Sequence, residues 1–193
     1  LEVVAATHPV PDGRSVAAAR RLVEVAESAG SRDLAVVLIS GGGSALLTLP
    51  ADGIRLTDLA EGTRALLRCG ATIDELNTVR KHVSAVKGGR LAEILAGALS
   101  ISTLVVSDVV GDDLSVIASG PTVPDYTTFE DALAVFDRYG IRSEVPPTIV
   151  DRLEAGAAGE IDDTPSQGSV FDKQSITVVA SAADAARGAV DRA

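Results

Sequence analysis

Three short runs of apolar residues, each followed by small or polar residues, constrain the fold more than any other feature of this sequence. Leu34–Ile39 reads LAVVLI and stops at Ser40, and Ile101–Val106 reads ISTLVV and stops at Ser107. A third run, ITVVA, covers Ile176–Ala180. Because a parallel strand in a covered sheet is apolar on both faces, these runs are typical of parallel strands. We also expect Glu2–Ala6 to be the tail of a strand.

Helical patterns lie between these runs. Apolar residues recur at helical spacing from Val16 to Ala26, and Gly30 is expected to end this helix, because glycine is common just after the last helical turn. Thr72 begins a second helix, which we predict to run to Lys87, and Thr128 caps a third over Phe129–Tyr139. Residues 156–173 are small and polar and predict a surface loop. Alternation of strands and helices predicts the α/β class, a Rossmann-like, doubly wound and mainly parallel sheet with helices on both faces.

Composition excludes several function classes. The chain has 193 residues, 46% of them hydrophobic, which suits one folded domain. A net charge of −10 argues against nucleic acid or an anionic membrane as a partner. Cys69 is the only cysteine, so neither an internal disulfide nor a cysteine-based zinc site can form. No apolar run reaches the ~20 residues of a membrane span, and we expect a cytoplasmic protein.

A glycine-rich turn is the first candidate site. Ser40, Gly41, Gly42, Gly43 and Ser44 follow the first predicted strand and open a helix. Glycines let a backbone approach a ligand closely, and the N–H groups of a helix start point at an anion. The spacing matches neither a Walker A loop nor G-x-G-x-x-G. An ordinary tight turn explains the glycines equally well.

A basic segment is the second candidate site. No acidic residue occurs between Leu76 and Ala92, although the chain as a whole is acidic. On a helix, one stripe would carry Asn77, Arg80, Lys81, Ser84 and Lys87. One sign of charge backed by amide and hydroxyl groups favours a wall that binds phosphate or carboxylate. The alternative is a solvated charged face.

Acidic residues follow the Ile101–Val106 run and form the third candidate site. Asp108, Asp112 and Asp113 lie at the carboxyl end of a predicted strand, where parallel sheets place their ligands. Asp108 could orient a substrate hydroxyl, and Asp108 with Asp112 could hold Mg²⁺. The alternative, which suits Asp113 best, is a helix cap.

Two proline-containing loops complete the candidates. The first, ASGPTVPD, begins at Ala118 and offers Ser119 and Thr122 as hydroxyl groups for a phosphate. The second, HPVPDG, begins at His8. Either loop could be a plain connector, since Gly-Pro and Pro-Asp pairs are common in turns.

In this order, the motifs HPVPDG, LISGGGSALL, GATIDELNTVRKHVSAVKGGRLA, SDVVGDD and ASGPTVPDYTTFEDAL resemble the glycerate 2-kinases, a family that also carries the name hydroxypyruvate reductase. The resemblance is nearly continuous from His8 to Ile141. It implies that the chain is part of the N-terminal Rossmann-like α/β domain of such a kinase. The start of that domain and a second, C-terminal domain are not included, and we do not expect this part to be active alone.

The resemblance also implies a reaction. It is the transfer of the γ-phosphoryl group of ATP to the 2-hydroxyl of D-glycerate, giving 2-phosphoglycerate, with Mg²⁺. Asp108 and Lys81 are then the expected catalytic residues. We expect ATP and D-glycerate as the small-molecule partners. A homodimer is one of the assemblies that we consider.

This sequence departs from the family pattern at two positions and leaves two other functions open. Val110 stands where proline is usual, and Ala182 stands where asparagine is usual. One alternative is a nicotinamide-dependent hydroxypyruvate reductase, which the absence of a dinucleotide fingerprint disfavours. The other is a non-catalytic regulatory module that binds sugar phosphates.

Overall fold

The fold is built on a three-stranded parallel sheet. A computed structural model describes residues 2–190, and its strands are β1 (Leu34–Ile39), β2 (Ser100–Ser107) and β3 (Gln174–Ser181). Their order across the sheet is β1-β2-β3, and both neighbouring pairs are parallel. All three apolar runs are therefore strands of one parallel sheet, which confirms the predicted α/β class.

Helices separate the strands, and polar side chains cap several of them. Asp12, Thr72 and Thr128 each accept a hydrogen bond from a backbone N–H group of the helix that follows. The described helices are α1 (Gly13–Glu27), α2 (Gly43–Leu46), α3 (Leu56–Cys69), α4 (Ile73–His82), α5 (Arg90–Ile94), α6 (Phe129–Tyr139), α7 (Pro147–Ala157), α8 (Ser169–Asp172) and α9 (Ala182–Val190), with short 3₁₀ turns at Leu95–Gly97, Ile117–Ser119 and Arg142–Glu144.

Two hydrophobic clusters hold these elements together. The larger one joins α3, α4, α6 and α7 around the fully buried rings of Phe129 and Phe136. The smaller one packs Ala26 of α1 and Leu91 of α5 against Ile101 of β2. Burial of a large apolar side chain contributes about 1.5–3 kcal/mol, so these two clusters fix the helices around the sheet.

The opposite face of β1 is open in the described structure. Leu34, Val36 and Leu38 alternate along this strand and are 61%, 54% and 75% exposed. Ala35 and Val37, which point to the other face, contact the smaller cluster. Residues i and i+2 of a strand share a face, so this exposure is a property of one whole side of β1.

Two predicted boundaries were wrong. Residues 2–6 form no strand; Glu2 instead pairs with Arg21 of α1 across 2.9 Å. Helix α4 ends at His82 and does not reach Lys87. The physical reason is Ser84, whose hydroxyl accepts hydrogen bonds from the N–H groups two and three residues further on and competes with helical bonding.

Within residues 2–190, no helix combines the length and apolar character that crossing a membrane requires.

Asp58 connects two helices of the larger cluster. Its carboxylate accepts hydrogen bonds from the backbone N–H of Arg55, at the start of α3, and from the hydroxyl of Thr148 in α7. Hydrogen bonds from Arg55 are the main cause that lowers the pKa of Asp58 to about 2. The Arg55 side chain is 78% exposed, so solvent screens most of that ion pair.

We predict that Asp58→Ala lowers the free energy of unfolding by about 2 kcal/mol, since a helix cap and a buried hydrogen bond are lost together. Urea denaturation at pH 7 measures this change. Asp151→Ala in α7, which removes an exposed carboxylate, is the matched control and should shift stability by less than about 0.5 kcal/mol. Equal effects of the two substitutions would contradict the role given to Asp58.

Candidate active site

The glycine turn and Asp108 meet at the carboxyl edge of the sheet. Strands β1 and β2 are parallel neighbours, with Ile39 paired to Val105, so the turns that follow them lie side by side. A Cβ atom placed on Gly41 would lie 2.7 Å from Oδ2 of Asp108. The two motifs, 67 positions apart in the sequence, therefore form one site, as their positions after two predicted strands indicated.

Close packing explains why this turn consists of glycines. Gly42 has a φ of +81°, and a Cβ on it would approach the ring of His8 to 3.1 Å. A Cβ on Gly43 would lie 2.9 Å from Cβ of Ala118. Any larger residue would push apart the three loops that meet here. The first N–H groups of α2, from Gly43 and Ser44, have no carbonyl partner within the helix and are free for an anion.

A chain of polar side chains lies beside the turn. Ser119 donates a hydrogen bond of 3.0 Å to Oδ1 of Asn77, and the hydroxyl groups of Ser44 and Ser119 are 3.2 Å apart. Since Ser119 has one proton, Ser44 is the donor in that second contact. Nδ2 of Asn77 is buried and has no hydrogen-bond partner among the described residues. Both N–H bonds of this amide group are therefore available to a ligand or a water molecule.

Lys87 fastens the loops around the site. Its side chain is 4% exposed, and Nζ donates hydrogen bonds to the carbonyl oxygens of Ser44, Leu47 and Ala118 at 3.0 to 3.4 Å. Burial, with a smaller contribution from the charge of Arg80, lowers the pKa of Lys87 to about 7. All three protons of the ammonium group are thus used by the main chain. Lys87 therefore stabilises the loops that form the site.

The loop that carries Ser119 has an unusual backbone. Ala118 and Ser119 have φ angles of +52° and +61°, a region that costs a non-glycine residue about 1 kcal/mol or more. Gly88 donates its N–H to the Ser119 carbonyl, and Gly89 donates to that of Gly120. These bonds, together with Lys87, hold the strained residues against the glycine turn.

Arg80 is a cation of the basic segment that has no partner among the described residues. It is only partly exposed, and burial lowers its pKa. Within residues 2–190 its guanidinium makes neither a hydrogen bond nor an ion pair, and its charge acts on Lys87 in the site. A partly desolvated guanidinium without a counter-ion is suited to bind phosphate or carboxylate.

Lys81 has a different environment from the one that the helical stripe suggested. Its Nζ is buried and lies 3.1 Å from Oδ1 of Asp125, whose side chain is 2% exposed. Thr164 and Thr127 donate further hydrogen bonds to the same carboxylate. The expected position on a cleft wall is therefore corrected to an interior ion pair. Helical spacing placed Lys81 on one stripe with Arg80, but the fold covers it with the segment around Thr164.

Residues 156–173 were expected to be a surface loop, but part of this segment contributes to the interior. Thr164 is 4% exposed, and Asp163 lies 2.8 Å from Nε2 of His82. The other ring nitrogen of His82 contacts the Thr78 carbonyl at 2.7 Å. His82 is fully buried, in agreement with the structural role that its place off the polar stripe indicated.

The remaining candidates differ in exposure and in their hydrogen-bond partners. Ser40 is exposed beside Gly41, and Asp112 is half-buried in the loop after Asp108. Asp113 accepts hydrogen bonds from the backbone and hydroxyl of Ser115. These bonds lie in a turn, and the 3₁₀ turn that follows begins after Val116 without a side-chain cap, so Asp113 is not the helix cap considered for it. Thr122 is buried and accepts a hydrogen bond from Thr103 of β2, so its hydroxyl points to the sheet.

Asp108 is the exposed carboxylate of the site. Among the described residues it forms no hydrogen bond or ion pair, and residues 2–190 contain no group of three histidine, cysteine, aspartate or glutamate side chains that could hold a metal. Magnesium needs no such group, because it binds through one or two carboxylates and completes its shell with water and substrate phosphates. Asp108 beside the glycine turn fits that mode of binding.

Sequence reasoning missed Asp125, Asp163 and Arg152, which bind Lys81, His82 and the His82 carbonyl respectively. The available signal was the Gly88-Gly89 pair. A Cβ on Gly88 would lie 3.0 Å from both Asp125 and Lys81, so this glycine marks where the chain packs onto the ion pair.

Fold and site together define a class: an α/β protein that gathers a glycine turn, a free carboxylate and a free guanidinium at the carboxyl edge of a parallel sheet. More particularly, the chain belongs to the family described as "Domain of unknown function (DUF4147)", which matches residues 1–154.

Individual relatives agree with this assignment. A glycerate 2-kinase of Pyrococcus horikoshii is 48% identical over 164 residues, which are 85% of this chain and 37% of the relative. An Agrobacterium vitis protein, provisionally named a hydroxypyruvate reductase, is 49% identical over 83% of the chain and 37% of its own length. The crystal structure of a Thermotoga maritima glycerate kinase superposes with a TM-score of 0.83 and 40% identity, over 95% of this chain and 41% of the other. The chain thus spans about two fifths of these relatives.

We predict that Lys87 makes stability rise with pH. The pKa of this group falls from 10.5 to about 7 on folding, so between these values the unfolded chain binds more protons and the free energy of unfolding increases with pH. One proton gives a slope of at most about 1.4 kcal/mol per pH unit. Urea denaturation from pH 7 to 10 should show a smaller slope in Lys87→Met than in the wild type.

Lys173→Met is the control for that comparison, because Lys173 also donates to main-chain carbonyls but is only partly buried. It should keep the wild-type slope. An unchanged slope in Lys87→Met would show that Lys87 is not the titrating group.

Proposed function

We propose that the protein transfers the γ-phosphoryl group of ATP to the 2-hydroxyl of D-glycerate, giving 2-phosphoglycerate, with Mg²⁺. The observation that carries the proposal is the contact between the glycine turn and Asp108, which sets a free carboxylate against a backbone suited to phosphate. Phosphoryl transfer depends mainly on positioning and charge stabilisation, and these are the properties of this site.

Asp108 is the residue that acts on the acceptor. Its exposed carboxylate can accept a hydrogen bond from the 2-hydroxyl, aim that oxygen along the line of transfer and take its proton as the new bond forms. No other described side chain forms a hydrogen bond or an ion pair with Asp108.

Arg80 and the glycine turn serve the anionic groups. The guanidinium of Arg80 can bind a phosphate or the glycerate carboxylate through paired hydrogen bonds. The N–H groups of Gly43 and Ser44, at the start of α2, are further donors for an anion, and Nδ2 of Asn77 adds a neutral donor. Lys87 and Lys81 act behind these groups: Lys87 holds the loops, and Lys81 neutralises the buried Asp125.

Magnesium ATP would supply the phosphoryl group and neutralise charge on its oxygens. Asp108 would hold the metal, and Asp112 follows in the same loop with a φ of +54°. Both carboxylates belong to one loop, so a ligand bound there would also order it.

The names of the relatives support the kinase proposal, because two glycerate kinases are 40–48% identical to this chain over the aligned residues. Since those proteins are more than twice as long as the matched part, we propose that this chain corresponds to their N-terminal α/β domain and acts with a second domain. A homodimer remains a proposal of the same kind.

We predict that Asp108→Asn in the complete gene product lowers kcat by about a hundredfold or more, because the amide cannot accept a proton. The thermal midpoint should stay near the wild-type value, since asparagine has the same size. Steady-state kinetics and calorimetry measure both. Asp113→Asn, on the far side of the same loop, is the control and should keep kcat within a few-fold. A variant that melts early yet turns over normally would make Asp108 a structural residue.

We predict that Arg80→Met raises KM for D-glycerate or ATP by about ten- to a hundredfold, the loss expected for one charge-assisted hydrogen bond of about 1.5–3 kcal/mol. Initial-rate measurements with each substrate varied in turn identify which anion Arg80 binds. Arg20→Met on the exposed side of α1 removes the same charge and should leave both KM values unchanged. Wild-type kinetics in Arg80→Met would exclude Arg80 from the site.

A further inference from the structure

A second cluster of positive charge lies outside the candidate active site. Arg90, at the start of α5, and Arg152, in α7, line one cavity of about 300 Å³. None of the residues that line this cavity belongs to the glycine turn or to the loops that carry Asp108 and Ser119. Its volume is at the small end of the range for ligand-binding cavities.

Neither arginine forms a salt bridge within residues 2–190, although the charges of several carboxylates, Glu93 for Arg90 and Asp52 for Arg152 among them, act on the two groups from a greater distance. In the described part of the chain, no carboxylate lies within salt-bridge distance of either guanidinium, although the net charge of the protein is −10. Arg152 makes one hydrogen bond, from Nε to the His82 carbonyl at 2.9 Å, which anchors the group and leaves its two terminal nitrogens free. Nε and Nη2 of Arg90 are buried and have no hydrogen-bond partner. Burial, with a smaller contribution from the charge of Arg90, lowers the pKa of Arg152. An oxyanion between the two groups would relieve their mutual repulsion.

The walls limit what this anion can be. Ala51 and Ala85 are small and leave room beside the charges, whereas Asp52 and Glu93 are exposed and line the same cavity. These carboxylates would repel a long polyanion such as a nucleic acid. A compact group with its charge on two or three oxygens matches the planar forks of two arginines and fits within the volume.

We propose that the Arg90–Arg152 cavity is a binding site for a small oxyanion, either a phosphate or a carboxylate group. The bound group bridges the two guanidinium groups and joins α5 to α7. These helices belong to different hydrophobic clusters, so an anion at this position connects the helical part of the protein to the part that contains the sheet. The site is separate from the glycine turn and does not depend on the kinase proposal.

Nuclear magnetic resonance can test this proposal with inorganic phosphate as the probe. Titration of the ¹⁵N-labelled protein at constant ionic strength should shift the amide signals of Ala51 and Ala85 and the Nε–H signals of both arginines, with saturation. Arg152→Met should weaken these shifts at least tenfold. Shifts at Gly42 and Gly43 report the glycine turn and should stay as in the wild type, which separates the two sites within one experiment.

A second probe identifies the chemical class of the oxyanion, and a second variant keeps the test valid if the first variant does not fold. A parallel titration with acetate distinguishes a carboxylate site from a phosphate site by which probe saturates at lower concentration. Arg90→Met gives the same readout should Arg152→Met fail to fold, and Arg64→Met, an exposed arginine of α3, is the charge control. No saturable shift at Ala51 and Ala85 with either anion, or shifts as large in both cavity variants as in the wild type, would overturn the proposal.

Discussion

The hydrogen bonds of one buried ammonium group hold the candidate active site in place. Lys87 donates to the carbonyl oxygens of Ser44 and Leu47, just after the three glycines, and to that of Ala118 in the loop of Ser119. Without that donor, three carbonyl groups would lose a partner in the interior, at a cost of about 1–3 kcal/mol each. The strained backbone of Ala118 and Ser119 persists because this support outweighs its energy.

The charged residues of this region are of two kinds: those paired in the interior and those that a ligand can reach. The Lys81–Asp125 pair is buried, and removal of one partner would leave an uncompensated charge worth about 3–5 kcal/mol. Arg80 and Asp108, in contrast, have no partner within residues 2–190 and remain available to a ligand. The same helix, α4, carries both kinds of residue, because Arg80 and Lys81 are adjacent and therefore face about 100° apart around the helix axis.

Local patterns were sufficient for the fold class and for part of the site. The three apolar runs became parallel strands, and the caps at Thr72 and Thr128 began the helices that they predicted. The meeting of the glycine turn with Asp108 also followed from sequence, since turns after neighbouring parallel strands share one edge. The end of α4 was not predictable from spacing alone, because Ser84 bonds to the backbone in a way that helical periodicity does not record.

By itself, the sequence determined the α/β architecture, the glycine turn and the carboxylate that follows β2, because strand period, capping and turn chemistry act over a few residues. Only the tertiary structure decided which cations are free. Lys81 and Arg80 look alike in the sequence, but Asp125 and Thr164, more than forty positions away, enclose the first and leave the second without a partner. Burial and pairing depend on contacts between distant segments, so the roles of Lys81, Lys87 and the Arg90–Arg152 cavity emerged only when the chain was folded.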